Sequence, residues 1–395
     1  MRSLLVKYIY ICKVNFFISF LYCQNIIFVN NLIFETMENK PLTNHDLQKS
    51  PLQDFYNMGH EKILICQDEK TGLKAIVAIH STICGPALGG TRMWNYASTS
   101  EALTDVMRLS RGMTYKNAIS GLNLGGGKAV IIGDSAKDKS PELFRAFGTF
   151  IDSLNGSYIT AEDVGISPED MTHVAEMTKH VTGLPGKKGD PSPVTAYGVY
   201  MGMKASAKFQ FGEDNLNGKK IAVQGVGHVG EYLIDYLNKE GAEITITDIN
   251  QNLLKKVAKK YACKVVSPDD IYKVDMDIYA PCALGATIND ETINVLNCSI
   301  VAGAANNQLK DENIHGHELM KRGIVYAPDY LINAGGVMNC YAEVHDIAND
   351  QVMKMAENIY TTTTKILELS REQNIPTFLA SNRIAEERLE RELAK

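Results

Sequence analysis

Residues 219–248 read KKIAVQGVGHVGEYLIDYLNKEGAEITITD, and this stretch decides the fold class. A short apolar run, 219–224, opens onto Gly225-Val226-Gly227-His228-Val229-Gly230; an amphipathic helix follows, then a second apolar run, 243–247, closed by Asp248. A lone GxGxxG is a weak signal, but strand, glycines, helix, strand and an acid eighteen residues after Gly230 make a complete dinucleotide-binding unit. The glycines allow a tight turn and let a pyrophosphate approach the helix N-terminus, while Asp248 can accept hydrogen bonds from ribose hydroxyls. An acid there repels a 2′-phosphate, so NAD is expected rather than NADP. Apolar runs at 278–280, 300–302 and 324–327 each run into loop residues, among them Cys282, Ala283, Ala305, Asn306 and Asn307. That succession predicts a doubly wound parallel sheet, a Rossmann-type unit over 191–336.

Upstream, residues 183–193, GLPGKKGDPSP, are dense in glycine and proline and read as a linker, so 395 residues divide into two units. Ahead of the linker, 37–190 reads as an α/β unit, to which a long helical return (331–371) and a charged amphipathic helix (377–395) come back. Ser98 followed by Glu101 forms a capping box, after which Leu103, Val106, Met107, Ser110 and Met113 trace one helical face. Short strands are expected at 63–66, 73–80, 129–134 and 158–160, and 85–92 is expected as a glycine-rich loop.

Within that unit, residues 112–130, GMTYKNAISGLNLGGGKAV, set Lys116 and Lys128 around three consecutive glycines. Glycines without Cβ atoms let another group approach the main chain, and partial burial would lower the pKa of a lysine beside them, fitting it for base chemistry. A solvated turn lysine is the plain alternative. A P-loop fails, because Leu122 stands where its first glycine belongs and Ala129 where its hydroxyl belongs. Gly89 and Gly90 can offer bare amides to a carboxylate, with Arg92 nearby; a tight turn would use them equally well. Glu162 and Asp163 end a strand, where ligands bind in α/β sheets. Neighbouring side chains cannot both enter one cleft, and Asp163 is the expected one.

The composition, 45% hydrophobic and 22% charged with net charge −6, is that of a globular protein and supplies no attraction for nucleic acid or anionic membrane. Eight cysteines without CxxC pairs read as reduced thiols of a cytoplasmic protein; no metal site is expected, and His315 and His317 are taken as surface residues. Residues 1–36 differ from the rest in composition. They lack a signal-peptide cleavage site and an unbroken apolar span, and are read as a non-native or disordered extension ahead of Met37.

The motifs GPALGGTRM, GMTYK, LGGGKAV, YITAEDVG, GDPSPVTAYGV, QGVGHVGE, AGAANNQL and INAGGV, in this order from residue 85 to 337, resemble the amino-acid dehydrogenase family that includes glutamate, leucine, phenylalanine and valine dehydrogenases, and within it the leucine branch. The resemblance implies an active site in the cleft between the two units. It gives Lys128 the catalytic role and Asp163 proton exchange with the substrate nitrogen. Lys116 takes the substrate carboxylate, helped by Gly89 and Gly90, and Asn307 contacts the substrate. Thr195, Cys282, Ala283, Ala305, Asn306, Asn307, Asp248 and the 225–230 turn line the NAD site. The implied reaction is oxidative deamination: hydride leaves Cα, water activated by Lys128 adds to the iminium, and a 2-oxo acid and ammonium result. Leu88 stands where glutamate dehydrogenases carry a lysine for the second carboxylate, so glutamate is excluded. Leu88, Ala161, Val337 and Cys340 would line the side-chain pocket, pointing to leucine, valine or isoleucine. Phenylalanine remains open, as does a non-catalytic regulator. Relatives of this kind form homo-oligomers, often octamers in the leucine branch.

Overall fold

A computed structural model describes residues 10–12 and 51–395, so the reading of residues 1–36 as an extension lies outside the described residues except at 10–12. Among the described residues, two six-stranded sheets organise the chain. The first is assembled from strand β1 (Tyr10–Cys12), helix α1 (Pro51–Met58), strands β2 (Lys62–Asp68), β3 (Leu73–Ser81) and β4 (Ala87–Trp94), helix α2 (Thr99–Ile119), β5 (Gly125–Ile132), α3 (Pro141–Asp152), β6 (Tyr158–Glu162) and α4 (Pro168–Ala175). Its strand order is β1-β2-β3-β5-β4-β6, with β4 parallel to both β5 and β6.

Both faces of this sheet are covered, which explains why its strands read as continuous apolar runs. Ala75, Val77 and Ile79 of β3 and Ala129 and Ile131 of β5 pack on one side with Leu143, Phe144, Phe147 and Ile151 of α3. Ile76, Ala78 and Val130 point the other way onto Ala102, Leu103, Val106 and Met107 of α2. Helix α3 starts where proline at its first position and the Ser140 side chain, accepting from the Leu143 N–H, predict. At α2 the expected capping box is offset: Ser98 accepts from Glu101 N–H, but the Glu101 carboxylate accepts from Ala97 N–H at 2.7 Å.

The second sheet follows from α5 (Ser192–Phe211), β7 (Lys220–Gln224), α6 (His228–Glu240), β8 (Glu243–Thr247), α7 (Gln251–Tyr261), β9 (Lys264–Val265), β10 (Ile278–Pro281), α8 (Thr292–Val295), β11 (Ile300–Val301), α9 (Glu312–Lys321) and β12 (Val325–Tyr326). Every pairing in it is parallel, in the order β12-β11-β10-β7-β8-β9. Successive residues alternate between its two cores: Ile221, Val223, Ile278 and Ile300 on one face, Ala222, Tyr279 and Val301 on the other. This is the doubly wound arrangement that the sequence pattern predicts.

Four expectations need correction. Residues 87–94, read as part of a loop, are a central strand, since glycines there serve close strand packing. The strand expected from 129 begins at Gly125. The return expected as one helix is four, α10 (Asp329–Ile332), α11 (Gly335–Val344), α12 (Asn349–Glu357) and α13 (Ile359–Gln373), with Asp346 turned into the left-handed region at φ 49° between the second and third. His315, taken as a surface residue, is buried, its Nδ1 within 3.1 Å of the Asp311 amide. The last helix, α14 (Thr377–Leu393), crosses to α2: Arg388 donates to the Asn117 and Ala118 carbonyls, and Glu386 accepts from the Tyr115 hydroxyl. Among the described residues no helix is long and apolar enough to cross a membrane.

Beneath α2 two imidazoles pack edge to face, His60 on Ser110 and Met107, His80 between Thr114 and Met58. Burial pushes both down to about 4. A base whose folded pKa lies below its unfolded value binds fewer protons folded, so its contribution is complete above about 6.5 and is lost as pH falls toward 4. Unfolding free energies from chemical denaturation should therefore drop across that window by a few kcal/mol at most. The drop should flatten in a His60→Gln/His80→Gln variant; an unchanged profile in that variant would remove the pair from the account.

Candidate functional site

The glycine run before Lys128 has a different purpose from the one its sequence suggests. A Cβ on Gly125 would sit 2.0 Å from the Ser81 carbonyl oxygen, on Gly126 2.1 Å from the Thr114 amide, and on Gly127 2.6 Å from the Tyr158 ring. The missing side chains let α2, β3 and β6 close onto β5; the space belongs to the protein, not to a ligand. Gly89 is under the same constraint, 1.8 Å from the Gly127 carbonyl oxygen, and its own carbonyl accepts from the Tyr158 hydroxyl at 2.6 Å. Gly90 would strike the Glu162 carbonyl at 2.4 Å.

That packing fixes Lys128 one residue beyond the glycines, 7% exposed, with its ammonium 2.6 Å from Asp163 Oδ2. Asp163 follows the last residue of β6, and the parallel register Thr91↔Glu162 brings Arg92 of β4 alongside, Nε at 3.5 Å. Burial alone would raise the Asp163 carboxyl; the neighbouring Lys128 and Arg92 charges hold it below its ordinary value. Arg92, read beside Gly89 and Gly90 as an aid to a carboxylate, instead bridges Asp163 and Asp105. Glu162 turns elsewhere, its Cγ toward Gly183, and burial raises its carboxyl.

Lys116, in the last turn of α2, is only partly exposed, and burial pushes its ammonium down to about 8. Its Nζ donates to Asn333 Oδ1 at 2.7 Å, and Asn333 Nδ2 donates to Asn306 Oδ1 at 2.7 Å and to the Ala304 carbonyl at 3.1 Å. One buried amide therefore joins the first sheet's lysine to the loop after β11. Asp329 stabilises the same loop, accepting the Gln308 N–H at 2.9 Å; burial raises its carboxyl. Asn307 takes a left-handed φ of 51° and its carbonyl accepts from Ala286. Sequence reasoning passed over Asn333 and Asp329. Their signal was present: Asn333 stands in INAGGV, and Asp329 is an acid three residues past the last strand.

Leu88 and Val337 are buried in one apolar cluster, with Cys340 packed against it and its thiol pushed up to about 12 by burial. Ala161 pairs in register with Gly90 on the adjoining strand. The four predicted pocket residues come from β4, β6 and α11.

In the second sheet, the loops after β7, β8, β10 and β11 open at the same, C-terminal strand edge. Gly225 has φ 102° and sits against Ala283, while a Cβ on Gly230 would sit 2.2 Å from the Gly225 carbonyl oxygen, so its absence closes helix onto strand. Gly227 caps α6, and nothing lies within 4 Å of where its Cβ would be. The room is where an incoming phosphate would need it, at the start of a helix. Val226 is buried; His228 and Val229 begin α6. Asp248 accepts from Val226 N–H at 2.8 Å, so the acid braces the turn from the end of β8. The Cys282 amide donates to Gln224, Ala305 to Pro281, and the Thr195 hydroxyl to Pro191. Among the described residues no cluster of metal-binding side chains occurs.

Comparisons with known proteins identify the family. Residues 60–180 match the profile of the Glu/Leu/Phe/Val dehydrogenase dimerisation domain, and residues 186–255 and 244–394 that of glutamate/leucine/phenylalanine/valine dehydrogenase. A leucine dehydrogenase from Bacillus subtilis is 56% identical over 84% of this chain and 92% of its own length. A phenylalanine dehydrogenase from Thermoactinomyces intermedius is 47% identical over 86% and 95%. The crystal structure of L-tryptophan dehydrogenase from Nostoc punctiforme superposes with a TM-score of 0.80 at 42% identity, covering 87% of this chain and all of that one.

Gly126→Ala should force α2 off β5, lowering the thermal midpoint by several degrees and removing turnover together. Gly227→Ala, facing open space, should leave the midpoint within about a degree. Differential scanning calorimetry of both variants checks the contrast; equal melting points would overturn the packing account.

Proposed function

The chain belongs to the glutamate/leucine/phenylalanine/valine dehydrogenase family and is an amino-acid dehydrogenase; from that premise we propose reversible, NAD-dependent oxidative deamination of a branched-chain L-amino acid. The observation that carries the reading is the Lys128–Asp163 pair at 2.6 Å, with Lys116 held at the same place by Asn333. NAD, when bound, supplies the hydride acceptor; the 225–230 turn, Asp248, Thr195, Cys282, Ala283, Ala305, Asn306 and Asn307 are the residues that would hold it. Lys116 takes the substrate carboxylate, beside Gly89 and Gly90. Asp163, kept ionised by its two cations, accepts a proton from the substrate ammonium, since hydride loss from Cα needs the free amine. Once Asp163 is protonated, Lys128 gives up its own proton to solvent and, as the free amine, takes one from the water that attacks the iminium carbon; Asp163 returns its proton to the departing nitrogen, and the hydroxyl proton leaves with ammonia as ammonium when the carbonyl forms. Lys116, beside them, stabilises charge near the reacting carbon.

Leu88, Ala161, Val337 and Cys340 carry the substrate reading. A second carboxylate among them would be buried without a cation, at a cost of several kcal/mol. Phenylalanine is the second reading, favoured by the phenylalanine dehydrogenase relative; a few methyl groups in such a pocket shift preference by about 1–3 kcal/mol. On this reading residues 37–190 together with 337–395 form the substrate unit and 191–336 the NAD unit. The unpaired thiols of Cys66, Cys84, Cys263, Cys282, Cys298 and Cys340 suit a reducing cytoplasm. A homo-oligomer is the proposed assembly.

NADH formation, followed at alkaline pH with leucine, valine, isoleucine, phenylalanine and glutamate in parallel, tests the assignment: the branched-chain substrates should lead and glutamate should be inert. Strong glutamate turnover would overturn the Leu88 argument. Lys128→Ala should lose roughly 10²–10⁴-fold in kcat while titrating with NAD as the parent does. An active variant would mean that the water is activated by another group.

A further inference from the structure

Arg92 is the cationic neighbour of Asp163 that neither gives nor takes a proton in the chemistry above. Its guanidinium lies 3.5 Å from Asp163 Oδ2 and 3.0 Å from Asp105 Oδ2. The same Asp105 oxygen accepts the Tyr96 hydroxyl at 2.6 Å. Strand β4 supplies Arg92, helix α2 supplies Asp105, and the segment after β6 supplies Asp163, so three elements meet at one planar group. A guanidinium stays charged at any pH the protein meets, and its flat fork fixes direction as well as charge. Lys128, by contrast, must exchange protons if it is to activate water, and cannot hold Asp163 in a constant field while doing so.

We propose that Arg92, anchored by Asp105 and Tyr96, is a positioning residue for Asp163, fixing its carboxylate beside Lys128 in the place and charge state needed to take the substrate's proton. The inference rests on Asp163 exchanging that proton, as proposed above. The groups facing Asp163 are Lys128 from β5, Arg92 from β4, Lys116 from α2, and Glu162 and Tyr158 from β6. Of the two cations beside the carboxylate, Arg92 can be removed without touching the water chemistry. It is also reachable: a cavity of about 770 Å³, lined by Arg92, Trp94, Tyr96, Asp105, Arg108 and Val164, opens beside it.

The pH dependence of kcat/KM in Arg92→Ala, Arg92→Lys, Asp105→Asn and Asp163→Asn, each checked for an intact melting transition, tests the assignment. Arg92→Ala should lose roughly ten- to a hundredfold in kcat. The KM for the amino acid should move little, because Lys116 holds the carboxylate. The acid limb of its profile should shift upward by about one pH unit, since losing a nearby cation raises a carboxyl pKa. Arg92→Lys should bring the limb most of the way back, and guanidinium ion entering by the cavity should partly restore Arg92→Ala. If Arg92→Ala melts early, Asp105→Asn, which releases the anchor only, should shift the limb in the same direction by less. An acid limb unmoved in both, with Asp163→Asn inactive, would overturn the role of Arg92 while leaving that of Asp163. Full turnover by Asp163→Asn would remove the proton-exchange role, and this inference with it.

Discussion

The site depends on backbone meeting backbone without Cβ atoms between. At Gly126 the last turns of α2 rest on β5 closely enough that a single methyl group would strike the Thr114 amide at 2.1 Å. Lys116 is two residues past Thr114 on the helix, and Lys128 two residues past Gly126 on the strand. The separation of the two ammonium groups is thereby set by a contact that tolerates no side chain. Interiors packed at this density transmit displacement instead of absorbing it. The same lack of room explains why Gly89 and Gly127 occur opposite each other on adjoining strands, and why the Tyr158 ring lies flat across that gap with its hydroxyl on the Gly89 carbonyl.

Once placed, the charges are costly to keep. Desolvation opposes the ammonium of Lys116 and the carboxylates of Asp163 and Asp329 alike. A buried ion pair roughly breaks even against an apolar pair of the same shape, so stability alone gives little reason for Lys128, Asp163, Arg92 and Asp105 to gather at one end of a sheet. The perturbed groups Lys116, Asp163 and Asp329 gathered with them mark chemistry. The fold can carry the expense because both sheets are covered on both faces: Phe144, Phe147 and Ile151 on one side and Val106 and Met107 on the other each bury enough apolar surface to contribute roughly 1.5–3 kcal/mol.

How much of this was legible in the sequence depended on the range of the interaction concerned. The parallel sheet could be read from local patterns, since each strand, glycine turn and helix in 219–248 is specified by its own neighbours. Lys116, Lys128 and Asp163 stood out because a charged residue in an apolar or strand-end setting is conspicuous. The purpose of the glycines was misread, because a Cβ-free stretch looks the same whether the space is taken by Thr114 or by a ligand; only the third dimension tells them apart. For the same reason 87–94 looked like a loop: Gly89 and Gly90 weaken strand propensity locally, and the flanking strands that require them are distant in sequence. Burial of His315 and the break at Asp346 are likewise set by tertiary partners. Asn333 was hidden by being an ordinary polar residue, whose importance lies in touching Lys116 and Asn306, 190 positions apart in the chain.

That last contact bears on how the two sheets work together. Asn333 accepts from Lys116 and donates to Asn306, so an amide without net charge spans the first sheet's helix and the loop after β11. A neutral acceptor satisfies the lysine's geometry but does little for its charge, which burial still disfavours. A carboxylate offers the missing charge, and a charge-assisted hydrogen bond is roughly twice as strong as a neutral one. On the proposed reading, substrate arrival relieves a desolvation cost that the fold otherwise retains, and the lysine so engaged is bonded through Asn333 to the loop beside the nicotinamide. Carboxylate recognition and cofactor-loop placement are then one event, carried by two hydrogen bonds on a single side chain, and the chain needs no separate signal between its halves.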